Sequence, residues 1–337
     1  MSYRRFDNDD IVVSADSITS PCWTNNAVTL TSFFTSSTQT TADSGKYYYY
    51  VYNSTNADSQ EIQFALAYGN RQGSGSALYD ASIVGKSYSS TVYGQFRTLI
   101  NGDEDTDFSF DVSGTTSTPN SIYAVSLQRA RYKEKALPGS LLLKLSGSGG
   151  ILSLTDNSKN LATDTFVDAG RVYSLYAGSS AGVVSSTTKE YGKLFPDIGT
   201  IILNGDLLDQ EGFLSGSGLN SSINTGSNTA ASISNIKPLL ESVEDGSQFT
   251  LRSDETLSSN FIFIRARNSE FNYSTNPSNI TGSGELRHGV MIDNPQSYIT
   301  QVGLYNDSND LLAVAKLSTP LLKDFTKESL VRIKLDY

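Results

Sequence analysis

The side chains able to do chemistry are few, and their types exclude most chemistries. The chain has one histidine, His288, in the stretch ELRHGVMID, and one cysteine, Cys22, beside its only tryptophan, Trp23. A hydrolase needs a nucleophile and a base within reach of each other. His288 has no G-x-S-x-G elbow to accompany it, so it reads as a surface or turn residue and no catalytic residue is assigned. A lone cysteine makes no intrachain disulfide and seeds no zinc cluster, and Cys22 reads as a small buried hydrophobe. Asp103, Asp105 and Asp107 have the spacing of the first ligands of a calcium loop. Such a loop needs Gly at its sixth position and Glu at its twelfth, where this chain has Phe108 and Gly114; an EF-hand is therefore excluded. A solvated acidic turn is the default reading, another kind of calcium site the alternative. Gly73–Ser76 lacks the Lys-Ser/Thr that lets a glycine loop cradle phosphate. No cofactor and no metal is expected.

The densest basic cluster is Arg129, Arg131, Lys133 and Lys135. The pattern predicts a strand over Ile122–Arg131, and alternation then puts the four cations on one face. That face is either simply solvated or meets the acidic surface of a neighbouring subunit, because charge complementarity fixes register between partners. The contrast with the rest of the chain, which carries a net charge of −10, favours looking for a partner there. The same acidity argues against binding a phosphate backbone, so no nucleic acid is expected.

The elements that would position these residues are mostly strands. Only 18% of the 337 residues are charged, and Ser, Thr, Asn, Gly and 19 tyrosines fill the gap, a composition suited to strands, ordered loops and large contact surfaces. Glu61–Tyr68 alternates Ile62, Phe64, Leu66 and Tyr68 inward, and Tyr47–Tyr52 is aromatic on both faces. Further strands are read at Ile11–Val13, Ala27–Phe34, Phe108–Val112, Leu141–Leu145, Ile151–Leu154, Arg171–Tyr176, Thr200–Leu203 and Phe261–Arg267. The best helix is Ser90–Ile100, with Val92, Phe96, Leu99 and Ile100 on one side and Gly102 after its end. A second, short one spans Ile236–Val243. Pro196–Gly199 is a turn whose Pro presets one dihedral and whose Gly admits a positive one. Gly147–Gly150 is a domain boundary or a tight turn. Leu214–Asn235 has too little apolar content for a core and reads as a long mobile loop.

The chain ends in a predicted three-strand meander. Val302 and Leu304 point inward from Ile299–Tyr305. Leu311–Leu317 is apolar on both faces, which predicts a strand covered on both sides. Val331, Ile333, Leu335 and Tyr337 alternate with Arg332, Lys334 and Asp336. An Asn/Asp/Ser turn at Asn306–Asp310 joins the first two. The fold class expected is mainly β, a β-rich α+β chain of antiparallel strands and meanders with long ordered loops and one or two short helices. Two domains are expected, 1–146 with one helix and 147–337 ending in the meander. No stretch is long and apolar enough to span a membrane and no signal peptide is recognised.

The stretch GLYNDSNDLLAVAKLSTPLLKDFTKESLVRIKLDY resembles the C-terminal block of a family of virion structural proteins of large contractile-tailed bacteriophages, the myoviruses of marine cyanophage type. RARYKEKALPGSLLLKLS, RVYSLYAG, YGKLFPDIGTIILN and FIRARNSEFNYSTNP fit the same family. All are patterns of strand and turn residues, none a catalytic fingerprint. The resemblance implies a non-enzymatic tail component, baseplate or baseplate-proximal, whose partners are other tail subunits and copies of itself, made in the host cytoplasm and ending in the virion. A fibre-associated or receptor-binding module recognising a host glycan, or a neck or collar protein, is the alternative. An enzyme acting on cell-wall polymer is a third; paired carboxylates are set by the fold rather than by sequence spacing, but the repeats of a β-helix are missing.

Overall fold

The computed structural model describes residues 5–35, 48–75, 88–184, 188–216, 218–219 and 235–336. In chain order the elements begin with β1 (Ile11–Pro21), β2 (Thr29–Leu30), β3 (Tyr48–Tyr52), β4 (Ile62–Asn70) and α1 (Tyr88–Asn101). There follow β5 (Phe110–Val112), β6 (Thr115–Ser117), β7 (Ser121–Leu127), α2 (Arg129–Tyr132), β8 (Lys135–Ala136), β9 (Leu142–Gly147) and β10 (Gly150–Asp156). Next come β11 (Thr165–Val167), β12 (Gly170–Ser179), β13 (Gly182–Val183), β14 (Gly192–Phe195), β15 (Thr200–Asn204), α3 (Gly205–Gln210) and α4 (Ile236–Gly246). The chain closes with β16 (Phe249–Thr250), β17 (Arg252–Ala266), α5 (Val290–Asp293), β18 (Gln296–Tyr305), β19 (Leu311–Asp324) and β20 (Ser329–Asp336). It is a β-rich protein with antiparallel sheets and few, mostly short helices.

Two compact units form: a larger one, Ile18–Glu255, and a smaller one made of Met1–Ser17 with Thr256–Tyr337. This differs from the division at 146/147. Gly147 and Gly150 are paired with each other at the end of the β9–β10 hairpin, inside the larger unit's sheet. The chain leaves and enters that unit within β1 and β17, continuous strands that leave no loop-like composition to mark the change.

The larger unit is built on one antiparallel sheet in the order β2-β16-β9-β10-β12-β14-β15-β7-β4-β3, with β11 and β13 on β12. Its central strands are apolar on both faces because both are covered. From β7, Tyr123, Val125 and Leu127 enter one core, together with Leu239, Leu240 and Val243 of α4. Ile122 and Ala124 enter the other, with Tyr93 and Ile100 of α1 and with Phe108 and Phe110. The α4 face is the one its spacing predicts. The α1 face is not: Tyr93 replaces Leu99, which is 54% exposed. Gly69 of β4 explains the choice, since a Cβ there would lie 2.9 Å from the Tyr93 backbone nitrogen, so α1 seats its Tyr93 turn directly on the sheet. Gly102 ends the helix at φ 74°. Cys22 and Trp23 are both buried, and the indole Nε1 donates to the Phe249 carbonyl at 2.8 Å.

The strand expected over Ile122–Arg131 stops at Leu127, and Arg129–Tyr132 is a helical turn. The cause lies in Gly199, in the Pro196–Gly199 turn between β14 and β15. Its φ is 60° and an added Cβ would lie 2.3 Å from the Tyr132 ring. The ring occupies that space, the Tyr132 hydroxyl donates to the Ile198 carbonyl at 3.1 Å, and the chain curls to deliver it.

In the smaller unit β20 pairs with β17 from Ser259↔Asp336 to Ala266↔Ser329, and β1 lies on the other side of β17. β18 and β19 form a separate two-stranded sheet. The C-terminus is therefore a hairpin followed by a strand that joins a different sheet, not a three-strand meander. Ile262, Leu304 and Ile333 form the small core, with Val302, Ala313, Ala315, Val331 and Leu335 packed against it. The Asn306–Asp310 turn is as predicted: the Asp310 amide donates to Asn306 Oδ1 at 2.7 Å, and Asn309 is left-handed at φ 63°. β19 is not covered on both sides. Ala313 and Ala315 face the core, whereas Leu312 and Val314 are 67% and 55% exposed. Tyr337 and most of Leu214–Asn235 lie outside the described residues, though Leu214 and Asn235 themselves are buried.

Candidate assembly surface

The four basic residues do not share a strand face. Arg129 stacks on Tyr132, its guanidinium carbon 5.0 Å from the ring centroid. Arg131 pairs with Glu61 of the segment before β4 at 2.9 Å and donates to Thr24 Oγ1 at 2.7 Å. Lys133 meets Glu255 at 2.6 Å, and Lys135 meets Asp254 at 3.4 Å. The cluster pins the segment after β7 to three other stretches of the same unit, at Thr24, at Glu61 and at Asp254–Glu255. Such partly exposed pairs contribute under ~1 kcal/mol each. The cations thus have intramolecular partners, and Arg129 alone of the four has no carboxylate partner among the described residues.

The other chemical candidates are also spread apart. His288 is exposed on the loop before α5. Asp103 Oδ1 accepts from the Asp105 amide at 2.8 Å and the Thr106 amide at 2.5 Å, which makes DEDTD a local turn. The Thr106 amide, ahead of the other partners, holds the Asp103 carboxyl below the usual carboxylate range. Asp107 turns inward to Arg71 Nη1 at 2.7 Å, Arg97 Nη1 at 3.3 Å and the Tyr93 hydroxyl at 3.2 Å. Burial pushes the Asp107 carboxyl up, but those three donors outweigh it and the net displacement is downward. Burial raises the Tyr93 phenol to about 12, so it stays a donor. Among the described residues no three His, Cys, Asp or Glu side chains are grouped so as to hold a metal.

A cavity of about 330 Å³ lies in the larger unit beside Asp107. Phe108, Val172 and Phe195 give it an apolar floor, and Asn101, Asn157, Thr165, Ser174 and Lys193 a polar rim. Lys193 Nζ donates to the Ser109 carbonyl at 2.7 Å. The lining includes neither His nor Cys, and its one carboxylate, Asp107, is already neutralised by two arginines. Such a cavity can hold a small polar molecule.

The feature that sequence reasoning missed is where the apolar surface lies. The larger unit gathers most of its big side chains in two cores, with Leu99, Ile151 and Phe166 among those left exposed. The smaller unit fully buries three large aliphatic ones and exposes many more: Val12 and Val13 on β1, Val290 and Ile292 on α5, Leu311, Leu312 and Val314 on β19. Single exposed apolar residues are ordinary, but runs of them on a small unit mark a contact surface. A second candidate surface is on β3, an edge of the large sheet. Tyr49 and Val51 point into the core, while the rings of Tyr48, Tyr50 and Tyr52 follow one another along the other face in tilted and edge-to-face contact, with centroids 4.8 and 6.5 Å apart. The YYYYVY stretch was the signal for this ladder, although its two faces prove unequal. Among the described residues no helix is long and apolar enough to cross a membrane.

No family model, no curated protein and no solved structure matches the chain.

Proposed function

We propose that this chain is a non-enzymatic structural subunit of a phage tail, baseplate or baseplate-proximal, and that its smaller β unit is the part that engages neighbouring subunits. The observation that carries the reading is the unequal burial. The larger unit builds two extensive cores, whereas the smaller one has a core of three buried aliphatic residues and leaves apolar side chains of β1, α5 and β19 in water. At about 25 cal/mol per Å² of apolar surface removed from water, covering such a face on assembly supplies the driving force. Tyrosine-rich surfaces such as the β3 ladder serve the same purpose, since aromatic side chains are enriched where proteins meet. The choice of a tail among possible assemblies rests on the resemblance of the C-terminal stretch and the four internal ones. The virion is then its place of residence, and other tail subunits and further copies of itself are its partners.

Labelling particles with an antibody raised against the full chain tests this. Electron microscopy is expected to place the label on the tail, towards the baseplate. Particles that assemble normally and contain none of the chain would overturn the reading. A host-glycan-binding module is the second reading, favoured by the row of Tyr48, Tyr50 and Tyr52 rings on one face of β3; binding of the isolated chain to host polysaccharide would support it.

A further inference from the structure

We propose that the cavity beside Asp107 is a binding site for a small organic acid, a carboxylate carried on a compact apolar body. The inference goes beyond the structural role and does not rest on it. The back wall of the cavity is the β12–β14 pair, whose register sets Ser174 opposite Lys193 and Tyr173 opposite Leu194. Side chains alternate across a strand, so Ser174 and Lys193 share the cavity face with Val172 and Phe195, two residues away along the same strands. The wall thus carries one apolar rung and one polar rung, roughly 7 Å apart. Phe108 extends the apolar end. At about 330 Å³ the cavity stands at the lower end of those that hold small-molecule ligands, roughly 300–1,000 Å³.

The polar rung selects the charge of the occupant. Lys193 is half-buried and makes no ion pair among the described residues. One of its three N–H groups goes to the Ser109 carbonyl at 2.7 Å, and the ammonium lies 5.4 Å from the Phe110 ring centroid. The other two are left for an occupant. Asn157 is oriented by the Ser174 amide, which donates to its Oδ1 at 3.0 Å; its Nδ2 is turned away from that bond and has no partner among the described residues. The groups still open at Lys193 and Asn157 are all donors, so an acceptor must meet them. Beside an ammonium the strong acceptor is a carboxylate, because charge-assisted hydrogen bonds are roughly twice as strong as neutral ones. The one carboxylate in the lining does not compete for Lys193. Asp107 spends its oxygens on Arg71, Arg97 and the Tyr93 hydroxyl, and the two arginines outweigh its charge. A bare inorganic anion would leave the Val172–Phe195 rung against water, which is the reason for an apolar body.

Calorimetric titration of the full-length chain with benzoate and with isovalerate tests the site. Benzamide serves as the neutral counterpart of benzoate, and inorganic phosphate as the bare anion. Saturable one-to-one binding of at least one acid is expected, with benzamide and phosphate weaker by roughly tenfold or more. Lys193→Met keeps the stem over Phe110 and removes the charge; it should weaken the acid by roughly tenfold or more and leave benzamide unchanged. Thr165→Trp places a large ring at an exposed rim position, away from the core, and should abolish binding. Both variants are expected to keep the parent's circular dichroism. Hydrogen exchange on the unaltered chain gives a reading that needs no variant: the acid should raise protection within 157–174 and leave 256–336 unchanged. Absence of saturable binding by both acids would overturn the proposal. So would equal affinity for benzoate and for benzamide or phosphate, undiminished acid binding in either variant, or protection confined to other segments. A chain that binds neither acid yet is found in tails loses the site and keeps the tail reading, whereas acid binding by a chain absent from particles does the reverse.

Discussion

Lys323 shows how much one side chain decides in the smaller unit. It is fully buried, and its ammonium donates to the Asn272 side-chain oxygen at 2.7 Å, the Asp324 carbonyl at 2.9 Å and the Asn268 carbonyl at 3.1 Å. Three donors meet three acceptors, which makes the site a structural pin for the loop after β17 rather than a reactive amine. Lys323→Met keeps the stem but strands the acceptors, at a cost of about 2–3 kcal/mol for buried groups left unpaired. Urea unfolding of the full chain is expected to show that loss; an unchanged midpoint would mean water replaces the ammonium. The arginines behave differently. Arg129→Gln with Arg131→Gln removes a stacked guanidinium and one ion pair, so the expected loss is about 1 kcal/mol with the fold retained. Weakened assembly at undiminished stability would instead return the cluster to an intersubunit role.

At the scale of elements, β20 is the strand on which the smaller unit depends. It pairs with β17 along its whole length, buries Ile333 and half-buries Val331 and Leu335. Stopping the chain after Ser329 removes all three, and one fully buried aliphatic side chain alone is worth ~1.5–3 kcal/mol. The small core of Ile262, Leu304 and Ile333 has no reserve against that. The truncated chain is expected to lose hydrogen-exchange protection throughout 256–329 and to keep it within 18–255. Protection retained in β18 and β19 would show that the hairpin is stable without the sheet it packs on.

For the whole molecule, acid should act first on the larger unit. Burial pushes Asp107 and Asp197 up, yet the arginines beside them hold both carboxyls below the usual range, Arg71 and Arg97 at the first and Arg171 at the second. A depressed folded value means stability that is present above the unfolded value of ~3.9 and lost as pH falls through the folded one. Asp324 and Asp336 of the smaller unit are lowered by Thr326 and Ser259 respectively; Asp336 is exposed, and Asp324 accepts from Thr326 within a local turn, with no arginine paired to either among the described residues. Calorimetry between pH 7 and pH 3 is therefore expected to show the larger unit's transition falling more steeply below about pH 4. Equal displacement of both transitions would mean that these two half-buried carboxylates do not govern acid stability.

Most of the strands, the α4 face, the Asn306–Asp310 turn and the Pro196–Gly199 turn were legible in the sequence, because each is set by residues a few positions apart. Alternation, helical spacing and turn chemistry are local, and they also gave the β-rich class. Tertiary structure alone decided what those patterns face. Leu311–Leu317 and Ser121–Leu127 are both apolar on two sides. Only the second is covered on both, because residues of α1 and α4 pack on the two faces of β7, whereas Leu312 and Val314 of β19 are exposed. The turn at Arg129–Tyr132 needed the space left by Gly199, 67 residues away from Tyr132 along the chain, where no local pattern reports it. β20 pairs with β17, from Ser259↔Asp336 to Ala266↔Ser329, instead of with β19, its neighbour in sequence. Edges, cover and close approaches belong to pairs of distant segments, and a reading that sees one segment at a time has no access to them.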